Sequence, residues 1–138
     1  MNSYERFKIY TDDKLSKFPV IFALTRDDFK EGLKALGVYK EDITPIGCGY
    51  FIRKQDKEEY IKLNESLNKE LRDNIDKSNE FVYEMFMYEL EDNEYSINGN
   101  DTQVLKSCGL NLSLLLKDDR LRNIYLDARE DYLRINKR

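Results

Sequence analysis

The sequence has 138 residues, with 27 Asp and Glu against 23 Lys and Arg, and it contains no His and no Trp. This length suits one domain, and a hydrophobic content of 41% with 10 Tyr and 7 Phe indicates a folded chain rather than a disordered one. The absence of His excludes Ser-His and Cys-His catalytic pairs, His-ligated zinc and the usual near-neutral pH switch. We therefore predict a protein that is not an enzyme and has no catalytic residue, no cofactor and no metal.

The chain carries no recognisable signal for secretion or membrane insertion. Its first residues are polar and charged, and its longest apolar stretches are too short to span a bilayer. We expect a cytoplasmic protein that does not bind a membrane. Cys48 and Cys108 fit no Cys-x-x-Cys pattern, so in a reducing compartment we expect two buried thiols.

The first part of the chain has the pattern of a strand, a helix and a second strand. Residues 18–24 form an apolar run that predicts a buried strand starting just after a proline. Thr25 can cap the helix that follows, and Gly37 is a suitable end for it. Residues 43–54 predict a second strand, with a bulge or a hairpin turn at Gly47-Cys48-Gly49.

From residue 56 onward the pattern is helical. Residues 56–77 carry a single apolar stripe, which predicts a helix on the surface. Ser78 or Asn79 can cap a second helix that runs to about Leu90 and is apolar on nearly all sides, so we expect it in the centre of the domain. The remaining segments are a loop over 93–100, a short helix over 102–107, an apolar turn over 112–116 and a final helix over 118–136.

Together these elements predict an α+β fold in a single compact domain, residues 1–138. It is mostly helical, with about five helices and a small two- or three-stranded antiparallel sheet near residues 18–54. Residues 1–12 and 134–138 could be flexible ends. The apolar positions of 118–136 follow heptad spacing, which leaves open a homodimer through this helix. So few heptads favour docking on the protein's own core instead.

The most unusual stretch is residues 78–105, which hold seven acidic and five aromatic side chains but no Lys or Arg. The commoner explanation of such a pattern is that the aromatics enter the core while the acids face water. An acidic surface flanked by Tyr could instead engage a basic partner, such as the nucleic-acid-binding groove of another protein. The residues predicted to form that surface are Glu84, Tyr88, Glu91, Asp92, Glu94 and Tyr95.

Carboxylates are the obvious acid-base candidates in a chain without His. Glu80 and Glu84 lie one helical turn apart, and Glu84 is in the middle of an apolar helix, where burial would raise its pKa. Such a pair could bind a divalent metal or act in acid-base catalysis. The sequence offers no Glu-x-x-His pattern and no calcium-binding loop, so a salt bridge or simple exposure is the simpler explanation.

The Gly47-Cys48-Gly49 segment is not in the setting of a phosphate-binding loop, because a strand rather than a helix follows it. Next to this turn, Tyr50, Arg53 and Lys54 could form a small cationic, aromatic patch for a nucleotide or a single strand. Direct binding to duplex DNA is not expected, since the net charge of the chain is −4.

Three segments, residues 47–54, 85–90 and 93–95, carry a resemblance to known sequences. Over about residues 18–130 the chain resembles small uncharacterised proteins encoded by phages and mobile elements of low-GC Gram-positive bacteria. Asn93 stands where those relatives commonly have a His before the Glu-Tyr pair. No established activity comes with the resemblance. It implies a genomic setting in which small acidic proteins often bind and disable host or defence machinery. We accordingly expect the protein in the cytoplasm of a bacterial host.

The leading hypothesis is a non-catalytic interaction protein that binds and inhibits a host or anti-phage defence protein through the acidic, aromatic face. The alternative is a protein that sequesters a nucleotide or another small ligand with Tyr50, Arg53 and Lys54. A second alternative is a carboxylate-based metal enzyme that depends on Glu84.

Overall fold

The structure is a computed structural model that describes residues 1–137. Within those residues the chain forms eight α-helices and one three-stranded antiparallel sheet. The helices are α1 (Ser3–Leu15), α2 (Arg26–Leu36), α3 (Lys57–Lys77), α4 (Asn79–Asp92), α5 (Tyr95–Asn98), α6 (Asp101–Ser107), α7 (Leu112–Lys117) and α8 (Asp119–Ile135); the strands are β1 (Val20–Phe22), β2 (Ile43–Gly47) and β3 (Tyr50–Arg53). The α+β class, the mostly helical content and the small antiparallel sheet near residues 18–54 are confirmed.

The predicted number of about five helices is wrong, because α1 and α5 were not anticipated and the apolar turn at 112–116 is a helix. Only Tyr4 is buried within α1, so the helix has no apolar stripe that its sequence could reveal. The α5 helix is a single turn inside the predicted loop 93–100. It begins after Glu94, whose φ is 51°, and ends at Gly99, whose φ is 59°.

The chain groups into two compact units, Met1–Ile9 with Leu71–Arg138 and Tyr10–Glu70. The divisions fall inside α1 and α3, and each unit is described by itself below. That residues 1–138 form a single domain stays a prediction, as does flexibility of residues 1–12 and 134–138; Arg138 lies outside the described residues. Among the described helices, none combines the length and apolarity needed to cross a membrane.

In the Tyr10–Glu70 unit, the sheet has the order β1-β3-β2, with β3 antiparallel to both neighbours. Strands β2 and β3 form a hairpin whose turn is Cys48-Gly49, with a register irregularity between Pro45 and Gly47 at the end of β2. Gly47, Cys48 and Gly49 all have positive φ. Such a turn favours glycine, which explains the two glycines of the segment. The prediction that both thiols are buried is wrong for Cys48, which is exposed because it lies at this turn, and right for Cys108.

Helix α2 covers one face of the sheet in the same unit. The Thr25 side chain accepts a hydrogen bond from the Asp28 amide at 3.1 Å, so the predicted cap is confirmed. Gly37, with a φ of 70°, ends the helix as expected. At Gly32 the backbone lies so close to Ile21 that a Cβ atom would overlap its side chain. The absence of a side chain there lets the helix approach the strand.

The other unit is built around α4, as the nearly continuous apolar character of residues 79–90 predicted. Its N-cap is Ser78, whose Oγ accepts a hydrogen bond from the Phe81 amide at 3.0 Å. Residues of α4 alternate in pairs between the core and the surface, and the buried ones are Phe81, Val82, Met85, Phe86, Glu89 and Leu90. The ring of Phe86 packs edge-to-face on Tyr125 of α8, with centroids 5.0 Å apart.

The apolar stripe of α8 lies on the protein's own core rather than on the surface. Its buried members are Leu121, Tyr125, Ala128 and Tyr132, and α8 packs along α4. The predicted heptad pattern consists of Leu121, Tyr125, Ala128, Tyr132 and Ile135, and its last position, Ile135, is 68% exposed. A homodimer through residues 118–136 stays a prediction, but it could not use this stripe without unpacking the core.

Candidate functional site

A cleft of about 340 Å³ lies between the start of α1 and the surface side of α4. We call it the acidic cleft. Four carboxylate side chains, from Glu5, Glu84, Glu91 and Asp92, line it. Among the described residues, no Lys or Arg contributes to the lining, which is completed by Asn2, Met87 and Tyr88. The cleft therefore presents negative charge, an amide and one aromatic ring.

The spacing along α4 explains why these side chains meet. Positions 84, 87, 88 and 91 follow the i, i+3, i+4, i+7 pattern, which places them on one face of a helix. The opposite face holds the buried residues of the core. Because α4 is apolar toward the core and acidic toward the cleft, one short helix supplies both the packing and the charge.

Glu84 is bound to the first turn of α1. Its Oε2 accepts hydrogen bonds from the Ser3 amide at 2.9 Å, the Ser3 hydroxyl at 2.6 Å and the Tyr4 amide at 3.3 Å. The amides at the start of a helix have no partners within it, so this carboxylate satisfies two of them and meets the positive end of the helix dipole. Glu84 thus fixes α1 and the α1 side of the cleft.

The expectation of a raised pKa for Glu84 is wrong. Burial does push the pKa upward, but the hydrogen bonds from Ser3 and Tyr4 outweigh it and hold the pKa below its usual value of 4.5. A carboxyl with a lowered pKa is a poor general acid near neutral pH. The geometry therefore gives Glu84 a structural role, the capping of α1.

Replacing Glu84 by Gln is expected to lower the free energy of unfolding by about 1 kcal/mol at pH 7, the usual contribution of a helix cap. Because the folded-state pKa is lowered, this stabilisation is present above the unfolded pKa and is lost as the pH falls through the folded one. Urea denaturation at several pH values should show the difference from wild type shrinking in acid. Glu91→Gln is the matched control, and an equal loss in both variants would contradict the capping role.

Glu89 is a residue of interest that the sequence patterns above did not single out. It is 1% exposed, and within the described part of the chain it is the one charged residue that is buried. Its Oε2 accepts a hydrogen bond from the Tyr4 hydroxyl at 2.7 Å and lies 3.5 Å from the Lys8 ammonium. Helical spacing could have found it, since position 89 follows the core residues Met85 and Phe86 by four and three residues and so shares their face.

Tyr88 is held in place by the same part of α1. Its ring packs edge-to-face on Tyr4 with centroids 5.5 Å apart, and the Lys8 ammonium lies 5.1 Å from its centroid. The Tyr88 ring thus already makes a cation-π contact with Lys8, because the face of an aromatic ring attracts positive charge.

The last two predicted residues of the acidic surface lie outside the cleft. Glu94 is exposed at the turn after α4. Tyr95 is only 8% exposed and packs edge-to-face on Tyr132, with centroids 6.4 Å apart. Its burial leaves little of the side chain for a partner to touch, because α5 turns the ring into the core.

Tyr50, Arg53 and Lys54, predicted as a ligand-binding patch, do not converge. Tyr50 lines an apolar cleft beside Cys48 and Phe18, whereas Arg53 and Lys54 line a different one. Positions 50 and 53 of a strand point to opposite faces, which separates them. Arg53 is also paired with Asp56 through two hydrogen bonds, at 2.8 and 3.2 Å.

No group of three or more Cys, Asp or Glu side chains within residues 1–137 is arranged to hold a metal ion. Of the acids that line the acidic cleft, Glu84 is engaged with α1, whereas Glu91 and Asp92 are exposed. What this arrangement can do chemically is attract and pair with cationic groups.

The sequence model of a family of unknown function, DUF7659, matches residues 3–131. The chain belongs to this family. No curated protein and no solved structure matches the chain at a significant level. The DUF7659 match extends from α1 into α8, so it includes every residue named above as lining the acidic cleft except Asn2.

Proposed function

We propose that this DUF7659 protein is a non-catalytic interaction protein, encoded by a phage or a mobile element, that binds a basic segment of a host or defence protein in the acidic cleft and inhibits it. The observation that carries the proposal is the convergence of Glu84, Tyr88, Glu91 and Asp92, four of the six residues singled out from the sequence, around one cleft. Glu94 extends the negative surface, and Tyr95 is no longer part of it.

The lining of the cleft favours a Lys or Arg side chain as the group that enters. Carboxylates pair with guanidinium groups through charge-assisted, often bidentate hydrogen bonds, and an aromatic ring adds a cation-π contact. The volume of about 340 Å³ is at the small end of ligand clefts, which suits one or two side chains better than a folded domain.

Inhibition follows if the basic segment normally contacts nucleic acid. Carboxylates of the cleft would then compete with phosphates for the same cations. Long-range attraction between opposite charges mainly accelerates association, and salt weakens it.

The test is charge reversal at two exposed acids of the acidic cleft, Glu91 and Asp92, and at the exposed Glu94, which follows α4. Partners captured from host lysate by the wild-type protein are identified by mass spectrometry, and their binding kinetics are measured with purified proteins. The variant Glu91→Lys, Asp92→Lys, Glu94→Lys is expected to slow association by about tenfold or more at low salt and to make it less sensitive to salt.

The matched control is Glu65→Lys, Asp73→Lys, Asp76→Lys, which reverses three exposed acids of α3 and changes the net charge equally. It should bind nearly as the wild type does. Unchanged association of the cleft variant at low salt, or equal losses in both variants, would show that the acidic cleft is not the binding surface.

A further inference from the structure

The Tyr10–Glu70 unit contains a second charged cleft, of about 490 Å³, whose lining has the opposite sign. Three cationic side chains, Arg26, Lys30 and Lys40, surround an apolar floor of Phe29 and Leu33. We call it the basic cleft. None of the described residues that line it is a carboxylate, although the sequence on either side is rich in acids.

The spacing of α2 produces this separation of charge. Positions 26, 29, 30 and 33 lie on one helical face, whereas Asp27, Asp28 and Glu31 occupy other positions around the helix. Lys40 comes from the 3-10 turn that follows the helix, so two elements contribute cations to the same cleft. The separation of cations from acids in this cleft therefore depends on the fold, and not on a run of basic residues in the sequence.

The three cations are available to a ligand. Arg26, Lys30 and Lys40 are exposed, and none of them forms an ion pair within 4.0 Å with another described residue. By contrast, Arg53 in the same unit is neutralised by Asp56. An anion that entered the basic cleft would therefore not have to displace an internal partner.

The floor of the basic cleft includes an oriented aromatic ring. Phe29 packs edge-to-face on Phe51, with centroids 5.0 Å apart and an angle of 66° between the planes. This contact holds the ring in place while part of it lines the cleft beside Leu33. A fixed ring next to an aliphatic side chain is a suitable surface for stacking a planar group.

We propose that the basic cleft binds a small aromatic anion of the nucleoside monophosphate class. The base would stack on Phe29 and Leu33, and the phosphate would pair with Lys30, Lys40 and Arg26. The cleft volume is in the range of small-molecule sites, and positive charge beside an apolar floor complements a ligand with one anionic and one aromatic end. This site is separate from the acidic cleft and does not depend on its function.

The first experiment titrates the full-length protein with AMP by calorimetry at low salt. Saturable binding is expected, and Lys30→Glu with Lys40→Glu should weaken it by about tenfold or more, because removing even one charge-assisted hydrogen bond to the phosphate costs roughly that factor. The matched control is Lys57→Glu with Lys69→Glu, two exposed lysines of α3 that line none of the clefts described above. It should bind AMP as the wild type does.

A second experiment measures the contributions of the phosphate and of the base to binding separately. Inorganic phosphate alone and adenosine alone should each bind at least about tenfold more weakly than AMP. Phe29→Leu should weaken the binding of AMP but not that of phosphate. Phe29→Tyr, which keeps an aromatic ring, should bind AMP nearly as the wild type does. Thermal unfolding of each variant verifies that the fold is retained.

Three outcomes of these titrations, and a fourth from a titration with a single-stranded oligonucleotide, would overturn the proposal. The first three are the absence of AMP binding at millimolar concentration, AMP binding that survives the Lys30/Lys40 reversal, and phosphate binding as tight as that of AMP. Much tighter binding of a single-stranded oligonucleotide than of AMP would also overturn it, because the occupant would then be a nucleic-acid strand.

Discussion

Replacing Glu89 by Ala is expected to lower the free energy of unfolding by about 3 kcal/mol, the sum expected for a buried hydroxyl left without its acceptor and a cavity in the core. The substitution leaves the Tyr4 hydroxyl without its acceptor, removes the carboxylate 3.5 Å from Lys8 and opens space in the core. All three effects act on the contact between α1 and α4. Urea denaturation, followed by circular dichroism, measures the change.

Glu91→Ala provides the control for Glu89→Ala, because it changes the same residue type two positions later on the exposed side of α4. Its effect should stay within about 0.5 kcal/mol, as is usual for surface positions. Tyr4→Phe removes only the hydroxyl and should cost about 1 kcal/mol. If Glu89→Ala were no more destabilising than Glu91→Ala, the buried contact would not contribute to stability.

The second large effect is expected at Asp101, the first residue of α6. Its Oδ1 accepts hydrogen bonds from the Tyr125 hydroxyl at 2.6 Å and from Arg129 at 3.1 Å. Asp101→Ala should lower the free energy of unfolding by about 2 kcal/mol, because the hydroxyl of the buried Tyr125 loses its acceptor. Thermal and urea unfolding at pH 7 measure this loss.

The contribution of Asp101 should also depend on pH. Burial pushes the pKa of this carboxyl upward, but the hydrogen bonds from Tyr125 and Arg129 outweigh it and lower the pKa. A lowered folded-state pKa means that the stabilisation is present above the unfolded pKa, about 3.9, and is lost as the pH falls through the folded value. The gap between wild type and Asp101→Ala should therefore narrow in acid.

Asp119→Ala is the matched control for Asp101→Ala, since Asp119 is likewise the first residue of a helix, α8, but is exposed. Asp119 also interacts with the helix dipole, but it has no contact with a buried tyrosine. The Asp119→Ala variant should therefore lose less free energy of unfolding, close to the contribution of a surface ion pair. If both variants lost the same free energy of unfolding, the contact between Asp101 and Tyr125 would add nothing to the interaction with the helix dipole.

Local patterns predicted most of the secondary structure. The caps at Thr25 and Ser78 and the end at Gly37 were found because each depends on residues within one helical turn. The central position of α4 followed from its apolar composition. Helix α1 was missed because the contacts that fix it are not local. Its partners Glu84 and Glu89 lie about 80 positions further along the chain, so no short sequence window contains α1 together with them.

The candidate site was predicted in part. Glu84, Tyr88, Glu91 and Asp92 do line one cleft, because their spacing places them on one face of α4. Tyr95 is buried instead, since the one-turn helix α5 redirects the chain in a segment predicted to be a loop. The basic cleft was not predicted, because Lys40 joins α2 only through the turn that follows the helix.

The excess of acid over base and the absence of His are properties of the sequence alone, and the absence of His excludes catalytic pairs and zinc sites that depend on an imidazole. The tertiary structure decided what the individual acids do. Glu84, Glu89 and Asp101 are bound to α1 and α8, whereas Glu91 and Asp92 remain in the cleft. The physical reason is that a carboxylate turns inward only where distant parts of the chain supply donors such as Ser3, Tyr4 and Tyr125.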